Sequence, residues 1–135
     1  MGYFDRAFQG PNSICGTGFT LYFSDSHYLT GKANLGPGTN NVTEFNALLA
    51  LLKSAMERNV QTQQVLGDSK FCTDWMLRTL QLDHLVLLQL GQQLKILSSH
   101  FTPIHFMHIY RELNGSADTL SKEALSLNEY VLVVE

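Results

Sequence analysis

The apolar residues of this 135-residue chain first change their spacing at Gly36-Pro37-Gly38, and that change constrains what the chain can fold into. Before it, Cys15, Thr17, Phe19, Leu21 and Phe23 alternate with Gly16, Gly18, Thr20 and Tyr22, the period of two expected of a half-buried strand. After it, Phe45, Leu48, Leu49, Leu52, Ala55 and Met56 recur at helical spacing. Thr39-Asn40-Asn41 supplies the N-cap chemistry of that helix, and Arg58-Asn59 closes it with a cation and a residue that tolerates the left-handed cap. A chain that switches from period two to period 3.6 at a Gly-Pro-Gly break needs a sheet with a helix laid against it.

The remaining elements follow from the same rules. Tyr3-Phe4-Asp5 begins a first strand, Ser24-Asp25-Ser26 is a polar turn, and His27 to Leu35 returns as a third strand. Thr62 to Leu66 is a short strand, Lys70 to Leu80 a helix, and about His84 to Ser98 a second amphipathic helix. Ile104 to Tyr110 is another strand, and Asn114 to about Leu127 a final helix. Right-handed crossovers then give an α/β fold with a mixed five-stranded sheet, three antiparallel strands followed by two parallel ones, flanked by helices. Residues 1–127 form one domain in this reading, and 128–135 a tail whose apolar run Tyr130-Val131-Leu132-Val133-Val134 suits a short strand or an interface. In such sheets the site lies beyond the strand C-termini, where helix N-termini also point.

Hydrophobic residues are 44% and charged residues 16%, the composition of a globular domain. No apolar stretch approaches the roughly 20 residues that span a bilayer, so no membrane association is expected. The N-terminus MGYFDRAF lacks a basic region followed by an apolar run, which argues against a secretory signal. Cys15 and Cys72 show no CxxC spacing, so they read as reduced, buried thiols of a cytoplasmic or nuclear protein, expected to be monomeric.

Four acids stand where an ordinary core would not put them. Asp5 is within a strand, Glu44 in the first turn of its helix, Asp68 just past a strand end, and Asp118 in the first turn of the last helix. Any one of them is explained by helix-terminus electrostatics or capping. Together they lie near one edge of one sheet, where four carboxylates cannot stay ionised without a counter-charge. An all-oxygen set without cysteine selects a hard cation, Mg²⁺ or Mn²⁺. Such clusters serve phosphoryl transfer by two metals roughly 3.5–4 Å apart. The net charge of −3 agrees with this: subtracting the four acids leaves the rest of the chain at +1, compatible with a polyanionic ligand bound in a salt-sensitive way.

The segments Tyr3-Phe4-Asp5, Gly38 to Glu44 (GTNNVTE), Gly67-Asp68-Ser69-Lys70 and His108 to Ser121 (HIYRELNGSADTLS) resemble type I ribonuclease H. More narrowly, they are similar to the reverse-transcriptase-associated ribonuclease H domains of plant retroelements, and the resemblance runs from Met1 to about Leu127. It implies a ribonuclease H-like fold and an endonuclease that hydrolyses the RNA strand of RNA–DNA hybrids with two Mg²⁺ ions, for which Mn²⁺ substitutes. It implies that Asp5, Glu44, Asp68 and Asp118 are the metal-binding set, with Asp5 bridging both ions. His108 matches a mobile histidine that assists proton handling or product release. Thr39, Asn40 and Asn41 match a loop that contacts the hybrid, and Ser69 and Lys70 stand where relatives place polar residues near the substrate. The basic extension of many bacterial relatives is absent, since His84 to Gln93 carries no Lys or Arg; a reverse transcriptase domain is the partner this implies.

One position departs from the pattern. The family usually has Gly directly after its first Asp, whereas Asp5 is followed by Arg6. The side chain either obstructs the hybrid or distorts Asp5, or strand alternation turns it away, or its guanidinium binds a phosphate. A catalytically degenerate domain that binds nucleic acid without cutting it, or a structural module of a larger polymerase, are the alternatives to the active nuclease.

Overall fold

The computed structural model describes residues 1–9, 14–68, 85–127 and 132–134. Strands β1 (Gly2–Gln9), β2 (Ile14–Tyr22) and β3 (Tyr28–Pro37) form an antiparallel meander, followed by helix α1 (Asn40–Glu57) and strand β4 (Gln63–Gly67). Helix α2 (Leu85–Ser98), strand β5 (Ile104–His108), a 3-10 turn (Arg111–Leu113), helix α3 (Gly115–Ala124) and a short β6 (Leu132–Val134) complete the described chain. The sheet runs β5-β4-β1-β2-β3-β6, with β4 parallel to both β1 and β5. The five strands from β5 to β3 are the expected mixed sheet, and β6 adds antiparallel to the free edge of β3. The helix read over Lys70 to Leu80, with Cys72, lies outside the described residues.

Register assigns each side chain a face. Phe4 pairs with Phe19 and Arg6 with Thr17, while Asp5 pairs with Gly18 and Ala7 with Gly16. The Phe4 face meets α1, against which α2 packs in turn: Phe4, Phe19, Leu21, Phe45, Leu48, Leu52, Leu94 and Leu97 form one continuous core. The Asp5 face meets α3, and there the contact is backbone-close. A Cβ on Gly18 would lie 2.5 Å from the Ser121 amide nitrogen and 2.7 Å from the Ala117 carbonyl oxygen. The alternating glycines of β2 therefore serve to let α3 approach the sheet. This makes β2 buried on both faces from Cys15 to Leu21, where alternation alone reads a half-buried strand.

Three element boundaries differ from the local pattern, each for a tertiary reason. Gly36-Pro37 does not break the sheet: β3 continues through Pro37, with Cys15 opposite Gly36 and Gly16 opposite Asn34. The bulge this creates is held by Gly36 at φ 68° and by its N–H donating to Asn34 Oδ1 at 2.8 Å. Strand β5 ends at His108, not Tyr110, because its neighbour β4 ends; the bond from Ile109 N–H to Gly67 O, 2.9 Å, is the last rung. Helix α3 stops at Ala124, short of Leu127, because Asn34 Nδ2 donates to the carbonyls of Leu125 and Leu127 at 3.3 and 3.1 Å. Helix α1 closes as its sequence requires, with Asn59 in the left-handed region at φ 60°.

Candidate metal centre

The parallel β1–β4 ladder is what builds the site. Phe4 is opposite Gly67, so Asp5 and Asp68 are the next residues along two neighbouring strands that point the same way. Glu44 enters from above, in the first turns of α1, whose start is fixed by Thr39 Oγ1 accepting from Val42 N–H at 3.4 Å. One carboxylate oxygen from each of Asp5, Glu44 and Asp68 lies within 4.8 Å of the other two. Asp5 and Glu44 are each only 2% exposed.

Crowding three acids out of water has a measurable consequence. Burial pushes the Asp5 carboxyl up to about 7; the N–H of Arg6, donating to Oδ1 at 2.8 Å, opposes this, and the charges of Asp68 and Asp118 reinforce it. Burial likewise raises Glu44 well above the usual carboxylate range, with Asp5 and Asp68 adding to the rise. Both oxygens of Glu44 and Oδ2 of Asp68 are buried without a hydrogen-bond donor among the described residues. Buried, unsatisfied carboxylate oxygens aimed at one another are costly as they stand, and a hard divalent cation relieves all of them together. The donor set therefore fits Mg²⁺ or Mn²⁺.

The other residues singled out by sequence are distributed around this trio. Asp118, in the first turn of α3, lies outside the group of three; its Oδ2 holds Lys122 Nζ at 3.0 Å, yet its charge reaches Asp5. His108 closes β5 on the rim, exposed, with Nε2 3.2 Å from the carbonyl oxygen of Asp68 and its ring edge-on to Tyr110 at 6.3 Å. Thr39 is exposed and caps α1, Asn40 is the first residue of that helix, and Asn41 is half-buried beside it. Ser69 and Lys70 lie outside the described residues.

Sequence reasoning left the role of Arg6 open among alternatives and assigned none to Arg111 or Asn114, and the fold brings all three in. Strand alternation turns Arg6 to the α1 face, opposite to Asp5, and there its Nε lies 3.6 Å from Glu44 Oε2. Arg111, in the 3-10 turn, has Nε 3.6 Å from Asp68 Oδ2. Asn114 is buried and donates from Nδ2 to the Phe4 carbonyl at 2.8 Å, tying the start of α3 to β1. The signal for Arg111 was the β4–β5 pairing, Gly67 opposite His108, which carries both chains past the sheet edge side by side. That pairing is not legible in either strand alone.

A family model described as reverse transcriptase-like matches residues 4–124. The chain is 27% identical over 124 residues to Ribonuclease HI of Halobacterium salinarum, covering 91% of this chain and 62% of that one. It is 29% identical over 123 residues to the bifunctional protein Rv2228c of Mycobacterium tuberculosis, 90% of this chain and 34% of the relative. The chain thus spans about a third of the mycobacterial protein and under two thirds of the archaeal one. Among solved structures, the N-terminal RNase H domain of Rv2228c superposes with a TM-score of 0.84 at 30% identity, covering 93% of this chain and 98% of that one. RNase H1 of H. salinarum gives 0.83 at 27%, covering 92% and 95%. LC11-RNase H1, solved in complex with an RNA/DNA hybrid, gives 0.82 at 25%, covering 92% and 94%. The chain belongs to the reverse-transcriptase-like family and has the ribonuclease H-like fold.

Proposed function

We propose that this member of the family is a divalent-metal-dependent endonuclease that hydrolyses the RNA strand of RNA–DNA hybrids. The observation that carries the reading is the trio Asp5, Glu44 and Asp68, in which Glu44 and Asp68 keep buried oxygens without donors among the described residues, where β1 and β4 run side by side in a ribonuclease H-like sheet. In this reading Asp5, Glu44 and Asp68 hold the cation, and Asp118 completes the set for a second ion after releasing Lys122. Divalent ions bound there supply charge neutralisation at the phosphate and an activated water. His108, exposed and tethered to the Asp68 carbonyl, takes up or delivers a proton at the rim and helps product leave. Thr39, Asn40 and Asn41, at the start of α1, contact the hybrid backbone, and Ser69 and Lys70 are assigned to the same ligand from the sequence pattern. Selection of RNA rests on 2′-hydroxyl contacts and on duplex shape rather than base sequence. A reverse transcriptase domain is the partner, and a retroelement the setting, that fit the family and the lack of cationic residues on α2 before Lys95.

A second reading has its own support. The Arg6 Nε lies 3.6 Å from Glu44, and Arg6 stands where the family usually has glycine, as a decayed and non-cutting domain would allow. Cleavage of a labelled RNA–DNA hybrid in Mg²⁺ decides the matter. Activity lost in EDTA and in Asp68→Asn supports the nuclease. Activity that persists in EDTA, or at full rate in Asp68→Asn, refutes the metal-dependent account. No activity in the unaltered chain, with a large gain in Arg6→Gly, assigns it to the degenerate class.

A further inference from the structure

Among the described residues, each acid of the site except Asp5 has a cation of its own chain in an ion pair. Arg6 Nε is 3.6 Å from Glu44, Arg111 Nε is 3.6 Å from Asp68, and Lys122 Nζ is 3.0 Å from Asp118. They arrive from three different elements: β1, the 3-10 turn and α3. The two arginine contacts are loose. At 3.6 Å they lie beyond hydrogen-bond range, and Glu44 and Asp68 keep buried oxygens with no donor among the described residues. Such contacts neutralise a carboxylate without saturating it, so a ligand that coordinates oxygen directly is able to displace them.

We infer that Arg6 and Arg111 are resident counter-ions of the acidic trio, which a divalent cation must displace, and that they thereby set the metal affinity of the site. The inference rests on the metal-dependent reading above and adds to it a regulator of occupancy. The two arginines differ in strength for a physical reason. Arg6 springs from a central strand, its side chain is 30% exposed, and its partner Glu44 is 2% exposed. Arg111 is 70% exposed, so water and salt screen its charge. Displacing Arg6 therefore costs the incoming ion more. The same geometry gives Arg6 a purpose in the metal-free protein: without it, Glu44 is a buried acid facing two others.

The test is Mn²⁺ binding by the full chain at moderate salt, read by calorimetry and by the Mn²⁺-induced rise in Tm. Arg6→Gln is expected to bind Mn²⁺ about tenfold more tightly, and Arg111→Gln about threefold, in the order set by their screening. Arg6→Gln should also melt earlier than the unaltered chain in EDTA, yet gain more from Mn²⁺. The exposed Arg111→Gln keeps the test decisive if Arg6→Gln folds poorly. Unchanged or weaker affinity in both folded variants, with binding still abolished by Glu44→Gln, overturns the inference and leaves the metal site standing. Binding that survives both Glu44→Gln and Asp68→Asn overturns the site and the inference together.

Discussion

Replacing Asp5 with asparagine should stabilise the metal-free protein while abolishing hybrid cleavage. Asp5 is 2% exposed, and Asn is nearly its isostere; the bond from Arg6 N–H to Oδ1, 2.8 Å, survives because an amide oxygen accepts it equally. What disappears is the cost of ionising a buried acid beside two others. The Asp5 carboxyl is raised from 3.8 to about 7. A folded-state value above the unfolded one means the native protein holds this proton where the unfolded chain releases it. The site is therefore without penalty below about pH 3.8, and stability is lost as pH rises through about 7. At roughly 1.4 kcal/mol per unit, the penalty at pH 8 is at most about 4 kcal/mol; it falls below about 2 at pH 5 and to near zero at pH 3. For a chain of this size 1 kcal/mol moves Tm by about 3–5 °C, so Asp5→Asn should melt roughly 5–15 °C higher at pH 8. Paired calorimetric scans in EDTA at pH 8, 5 and 3 measure this directly. A variant that melts at or below the unaltered chain at pH 8, or whose gain does not shrink at pH 5, refutes the electrostatic reasoning.

Other outcomes follow from the same geometry. Asp68→Asn should lower hybrid cleavage by at least about a hundredfold, more than the loss typical of residues that only support a metal ligand; single-turnover assays in Mg²⁺ check this. Gly18→Ala should destabilise the fold by about 2–3 kcal/mol, since its Cβ would meet backbone atoms of α3 at 2.5 and 2.7 Å, and urea unfolding reads the loss. Asn114→Ala removes a buried 2.8 Å bond to the Phe4 carbonyl and should cost about 1–3 kcal/mol in the same assay. Mg²⁺ at 100 times its dissociation constant should add about 2.7 kcal/mol to stability, and Glu44→Gln should erase that increment.

The element order was legible because it is written in local spacing. The period of two in β2, the 3.6 period of α1, and caps such as Thr39 and Asn59 involve residues close in sequence, so each segment reports its own structure. The four acids were visible as misfits for the same reason: a carboxylate in a strand or at a strand end violates a local rule. Boundaries failed where a distant partner intervened, as when Asn34 drew off the carbonyls beyond α3 or when β4 ended and took β5 with it.

Among the described residues, the sequence alone determined the order of helices and strands and which side chains carry negative charge into the sheet. Tertiary structure decided which charges meet. The pairing of Phe4 with Gly67 brings Asp5 and Asp68 together, α1 lowers Glu44 onto them, and α3 holds Asp118 just apart with Lys122. It also settled Arg6: alternation sends it to the opposite face from Asp5, but Glu44, coming from α1, is there to receive it. The reason is that strand register and helix docking are fixed by long-range packing across the whole sheet, and no residue carries that information among its own neighbours.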